Sequence, residues 1–270
     1  MAEGVCRLTE TRGRYVKSHL IPQAFTKPEE PGLPLIQVGK AQPSKRRWSS
    51  WYDQKLVTAE GEVILRDLDT WAIEFLRKAK LVWSGWGPAL SLPDNKLNGK
   101  QHKWGLRTVA VPEKGRLRLF MISLLWRSAA TTLPEFREIA LPPEDLETLR
   151  LTLLRGVLPP LDFYPATLAQ LSTLGIRHNQ TPITGSRPIF SLDGTAPLRQ
   201  LPIFRFYFDG LIIHFHRQNR DDGDTAGLGN LVIGASEKLI VSTLPYEASF
   251  QERNLFKNIL GSMSSGKPSL

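Results

Sequence analysis

Cysteine is almost absent from this chain. Cys6 is the only one in 270 residues, which excludes an internal disulfide framework and any zinc site built from several thiolates. The lone thiol fits a reducing, cytoplasmic setting. No run of about 18 apolar residues occurs, so no membrane-spanning helix and no membrane partner are expected. A secretory leader is not expected either, because Glu3, Arg7 and Glu10 interrupt the start. There is no internal repeat and no long low-complexity run. Acids are outnumbered: 26 Asp and Glu face 35 Lys and Arg, for a formal net charge of +9. That surplus favours an anionic partner such as nucleic acid, although solubility accounts for part of it. Apolar residues make up 41% of the chain, enough to build a core, so global disorder is excluded.

The pattern of residues predicts an α+β protein. Residues 27–34 carry Pro28, Pro31 and Pro34 and read as loop, followed by a short strand at 35–38. From Glu60 to Ala79 the apolar residues Val63, Ile64, Leu68, Trp71, Ala72, Phe75 and Leu76 recur at helical spacing. Acids early and bases late in this helix complement its dipole. Gly85, Gly87, Pro88 and Pro93 then mark a linker over 83–103 and an expected domain boundary. Beyond it a strand is expected at 104–112, an apolar helix at 117–130, a strand at 136–140, a helix from Pro142 to Arg155 and a short helix at 165–174. The C-terminal third reads as antiparallel sheet. Strands at 203–208 and 211–217 flank Asp209-Gly210, a strong hairpin-turn signal, and further strands are expected at 231–233 and 238–241. A helix at 250–260 precedes a frayed tail, 261–270. The expected division is an N-terminal unit (1–82), the linker, and a mixed helical and sheet region (104–260) offering a surface for a protein partner or a second copy.

The run Cys6–Thr26, CRLTETRGRYVKSHLIPQAFT, carries the most chemistry. Its Ser18-His19-Leu20-Ile21-Pro22 segment resembles the start of the HNH endonuclease superfamily, the ββα-metal nucleases. Thr58-Ala59-Glu60-Gly61-Glu62, leading into the long helix, is similar to the second half of that motif. The resemblance covers roughly residues 5–80. It implies a ββα module, with His19 as the general base that activates water against a phosphodiester. It implies Glu62, with Asp67 or Asp69, as ligands of a single Mg²⁺ or Mn²⁺ ion. The departures are as specific as the match. Cys6 and Thr9, then Thr58 and Gly61, stand where the family has two cysteine pairs, so no structural zinc is expected. Ser18 stands where an acid commonly precedes the histidine, and a neutral hydroxyl is a poor ligand for a hard cation. Two functions follow from the resemblance: a metal-dependent endonuclease, or an inactive relic that only binds nucleic acid or protein. The plainer reading of His19 is a histidine at a strand end, satisfied by a backbone carbonyl.

Between the motif halves lie Lys45, Arg46, Arg47, Trp48 and Trp51, with Tyr52 beside them. Bases interleaved with aromatics suit phosphate contacts plus stacking, and DNA is expected ahead of RNA. The competing reading is a solvated basic loop with its tryptophans in the core. His214 and His216 alternate on an expected strand and could chelate a metal with Asp209, Asp221, Asp222 or Asp224; a sheet with one wet face reads the same way. Asp221–Asp224 lacks EF-hand spacing, and Gly227-Leu228-Gly229 lacks a nucleotide fingerprint.

Overall fold

The computed structural model describes residues 2–28, 30, 32–40, 44–92, 96–98, 104–190, 197–217 and 226–264. Its elements run β1 (Glu3–Val5), β2 (Arg12–Arg14), β3 (Ser18–His19), α1 (Gln23–Thr26), β4 (Leu35–Val38), β5 (Lys45–Arg47), β6 (Tyr52–Asp53), α2 (Ala59–Lys78), β7 (Lys96–Asn98) and β8 (Trp104–Ala110). They continue α3 (Lys114–Ala130), α4 (Pro143–Arg155), β9 (Ala166–Leu171), β10 (His178–Phe190), β11 (Pro197–Phe208), β12 (Leu211–His216), β13 (Lys238–Leu244) and α5 (Phe250–Ser264). The class is α+β.

One nine-stranded sheet, ordered β5-β4-β10-β11-β12-β9-β13-β8-β7, dominates the molecule. It is mixed: β4–β10 and β9–β13 pair in parallel, the other neighbours antiparallel. Alternation along β11 and β12 gives its two faces different cargo. Phe204, Phe206, Phe208, Leu211, Ile213 and Phe215 join the main core with α2, α3 and α4. Tyr207 and Ile212 face the other way, into a smaller cluster with Trp83, Trp86 and Tyr246. The β11–β12 turn has Asp209 at φ 48° and Gly210 at φ 80°, the left-handed pair that an Asp-Gly hairpin turn requires.

The expected linker is not a boundary. β4 and β5, from its N-terminal side, extend the same sheet as β10 and β11. Cys6, Leu8, Leu20 and Trp51 share one core with α3 and the central strands. Three arginine-to-carbonyl hydrogen bonds tie the N-terminal segment to the helices: Arg7 donates to Ala130 O at the end of α3 (2.7 Å), and in the other direction Arg127 donates to His19 O and Arg150 to Leu8 O (both 2.9 Å). Trp83 and Trp86, inside the Gly- and Pro-rich stretch, are buried and anchor it.

Three local expectations also change. Residues 165–174 hold strand β9, not a helix. All six of its residues are buried, so neither face shows the polar alternation by which strands are recognised. β10, the longest strand, carries polar residues that hide it. Residues 136–140 follow a 3₁₀ turn at Pro134–Phe136 rather than forming a strand. Val232 makes only an isolated bridge to Thr167.

Candidate functional site

The N-terminal turn after β1 folds tightly around Cys6. Its N–H donates to Thr11 O, its carbonyl accepts from Glu10 N–H, and its Sγ accepts from Thr9 N–H at 3.4 Å. Gly61, in the first turn of α2, approaches so closely that a Cβ there would lie 2.8 Å from Cys6 Sγ. Burial would raise the Cys6 pKa, but hydrogen bonds involving Thr9, Thr58 and Leu8 outweigh it, and the net shift is downward. Thr9, Thr58 and Gly61 therefore surround the one sulfur. Cys6 is fully buried and free, so it is screened from reagents rather than poised as a nucleophile.

Next comes a minimal hairpin, with Ser18 opposite Asp53 and His19 opposite Tyr52, against which α2 runs. Asp53 shapes its return: Oδ1 accepts from Lys55 N–H at 2.7 Å and Oδ2 from the Thr131 hydroxyl at 2.6 Å. The His19 ring meets Tyr52 edge-on at 6.3 Å, and Lys17 Nζ sits 3.9 Å over the Tyr52 ring. Burial, then the Lys17 charge, lowers the His19 pKa; Asp69 opposes the shift and Arg127 adds to it. The protonated imidazole is therefore disfavoured.

Arg127 of α3 organises the rest. Its guanidinium donates to Asp69 Oδ2 at 2.9 Å and Oδ1 at 2.8 Å, and also to the His19 carbonyl. Glu62 lies two turns before Asp69 on the same stripe of α2. Burial raises its pKa; the Ser18 hydroxyl, Arg127 and Arg66 oppose that, and Asp69 reinforces it. Ser18 lies close enough to favour the carboxylate but not in hydrogen-bond geometry. Ser18 Oγ, His19 Nε2 and Glu62 Oε2 are all buried without a hydrogen-bond partner.

The structure thus puts Asp69 within electrostatic reach of both His19 and Glu62. Asp67 does not belong with them, because it is exposed and five residues on from Glu62, on another face of α2. Among the described residues no group of three or more His, Cys, Asp or Glu side chains is arranged to hold a metal ion. Arg127 was missed as a site residue. Its signal was a charge inside the apolar run LRLFMISLLWRSAA, since arginine is buried only with partners.

The basic, aromatic segment divides in two. Lys45, Arg46 and Trp48 are exposed on or just after edge strand β5, Trp48 by 62%. Arg47 is half-buried, 3.7 Å from Glu135 and 5.4 Å over the Trp51 ring. Trp51 is fully buried, donates to Gln37 Oε1 at 3.0 Å and meets Phe136 edge-on. Trp51 is thus a core residue and not a stacking platform, and Arg47 serves mainly to cap it. Asp221, Asp222 and Asp224 lie outside the described residues. Gly227-Leu228-Gly229 lies in the kinked 3₁₀ stretch Ala226–Leu231, with Gly229 at the kink and itself non-helical.

No protein-family model, curated protein or solved structure matches the chain. Among the described residues no helix is long and apolar enough to cross a membrane.

Proposed function

We propose that this chain binds nucleic acid along the β5 edge and does not cut it, the β3–β6–α2 unit being a relic of a ββα-metal nuclease. The surroundings of Cys6 support the relic. Thr9, Thr58 and Gly61, which stand at the places of the missing cysteines, gather around its sulfur.

The observation that carries the loss of cleavage is the state of the acids. Asp69 has both oxygens on Arg127, Glu62 is half-buried, which disfavours its charged form, and Asp67 faces elsewhere. Lys17, Arg66 and Arg127 act on the same spot. A hard divalent cation wants several oxygen ligands and a net negative site, and these residues offer neither. Binding falls to Lys45, Arg46 and Trp48, whose charges and indole face solvent on an unpaired strand edge. Anisotropy titration of labelled DNA tests this: replacing Lys45 and Arg46 by Gln should weaken binding and reduce its salt dependence. Binding unchanged by that double replacement would refute the assignment of the edge.

A second reading, an active nuclease, draws on the neutral imidazole of His19 and its unpartnered Nε2, which suit a general base. A bound metal would then supply charge stabilisation at the phosphate. Chelator-sensitive cleavage lost in His19→Ala would establish this reading over the first.

A further inference from the structure

The sheet face opposite the main core holds a second concentration of polar groups, far from His19 in sequence. It is built by β9, β10, β11, β12 and α5. Arg187 Nη1 comes within 3.4 Å of Thr167 Oγ1, although β11 and β12 lie between their strands. Three strand spacings amount to roughly 14 Å, more than one arginine side chain spans. The sheet is therefore curved here, with this face concave. Arg205 stands opposite His214, and His214 opposite Thr167. Arg205 Nε donates to His214 Nε2 at 3.2 Å, and its guanidinium lies 4.3 Å over the Phe250 ring of α5.

The hydrogen bonds leave one ring nitrogen unanswered. A guanidinium only donates, so the Thr167 oxygen accepts from Arg187. The same hydroxyl meets His216 Nε2 at 3.4 Å, and when it donates there the His216 proton sits on Nδ1. This atom is buried without a partner, in a residue 2% exposed. Both polar atoms of the Gln251 side chain, on α5, are likewise buried and unpartnered. Among the described residues no carboxylate pairs with Arg187 or Arg205. Burial drives the His214 pKa down, and the charges of Arg205 and Arg187, with His216 when protonated, add to the shift. Such a field repels a metal cation, so this histidine pair does not suit the chelation that its spacing suggests. Burying cations without a counter-charge is costly unless something supplies it.

We propose that this concave basin is an anion site for a phosphate monoester, with Arg187 and Arg205 matching its two negative charges and His216 Nδ1 donating to a third oxygen. Arginine forks and imidazole N–H groups are the donors such a group takes. The inference is independent of the β5 edge and of the ββα unit. The phosphate could belong to a free nucleotide or to the 5′ end of a nucleic acid.

The test is calorimetric titration of the full chain with inorganic phosphate, AMP, and a thymidine hexanucleotide with and without a 5′-phosphate. Saturable binding of phosphate and AMP is expected, weakened at least about tenfold by Arg187→Gln or Arg205→Gln, a loss of one charge-assisted contact. A phosphorylated hexamer that binds more tightly than AMP assigns the nucleic-acid end; equal or weaker binding assigns the nucleotide. Arg187→Met guards against a folding artefact. In phosphate-free buffer its Tm should rise by about 2–4 °C, since a cation with no carboxylate partner among the described residues is removed. Absence of anion binding overturns the proposal. So does binding that both Gln variants leave intact, or a fall in Tm for Arg187→Met with phosphate affinity unchanged.

Discussion

Arg127 and Asp69 form a two-pronged ion pair across the α2–α3 interface, with N···O distances of 2.8 and 2.9 Å. The arginine is 1% exposed on its side chain, and its other hydrogen bonds go to the His19 carbonyl and to Ser123. The pair locks the hairpin, α2 and α3 into one body and uses up an acid that a metal would need. Arg127→Met leaves Asp69 partly buried without its partner and should cost about 3–5 kcal/mol, as broken buried pairs do. Adding Asp69→Leu should recover much of that loss. Urea denaturation of the two single variants and the double variant measures it; additive losses would show that the two residues do not act as a pair.

Gly61 and Cys6 are coupled by contact rather than charge. Gly61→Ala places a methyl 2.8 Å from Cys6 Sγ, so overpacking should destabilise by about 1–3 kcal/mol. Cys6→Ala in the same chain should relieve most of it. Equal destabilisation with and without the sulfur would argue against this close approach.

His178 sets an acid limit. It is 4% exposed, and burial pushes its pKa to about 4 from an ordinary 6.5, a hydrogen bond with the Ile176 carbonyl opposing only in part. The unfolded chain therefore binds a proton that the folded chain refuses, and stability falls as pH drops from about 6.5 toward 4. The full effect is roughly 3 kcal/mol. His216, also shifted down to about 4 by burial and by Arg187, adds in the same direction. Glu62, shifted upward, works the other way. Urea midpoints measured against pH should slope less steeply across this window in His178→Asn, whose amide can replace the Nδ1 contact. An unchanged slope would place His178 in water.

Lys45 and Arg46 should each contribute about one unit to the salt slope of DNA binding. Trp48→Ala should cost about 1–3 kcal/mol with single strands, where an exposed indole can stack. Trp51→Ala should instead lower the Tm, because its ring fills the core between Gln37 and Phe136. A binding defect in folded Trp51→Ala would reverse these assignments.

How much was legible in the chain follows from where each signal lives. α2 and the β11–β12 hairpin announce themselves locally, by helical periodicity and by Asp209-Gly210. β9 does not, since a strand buried on both faces loses its alternation. The expected division at 83–103 failed because composition marks turns and cannot report that Trp83 and Trp86 pin them to the sheet. His19 and Glu62 were visible as a spacing. Their neighbour Arg127, 108 residues beyond His19, arrives from α3, and its meaning depends on that packing. The Arg187, Arg205 and His216 group is assembled by the order and curvature of the sheet, to which linear spacing gives no access.

The most direct measurement follows binding and strand integrity together. Labelled single- and double-stranded DNA is incubated with the chain in Mn²⁺ or in EDTA, with His19→Ala alongside. Equal binding in both buffers, with every strand intact, is the outcome expected of a nucleic-acid-binding relic. Strands cut in Mn²⁺ alone, and spared by His19→Ala, would contradict it and establish a working nuclease.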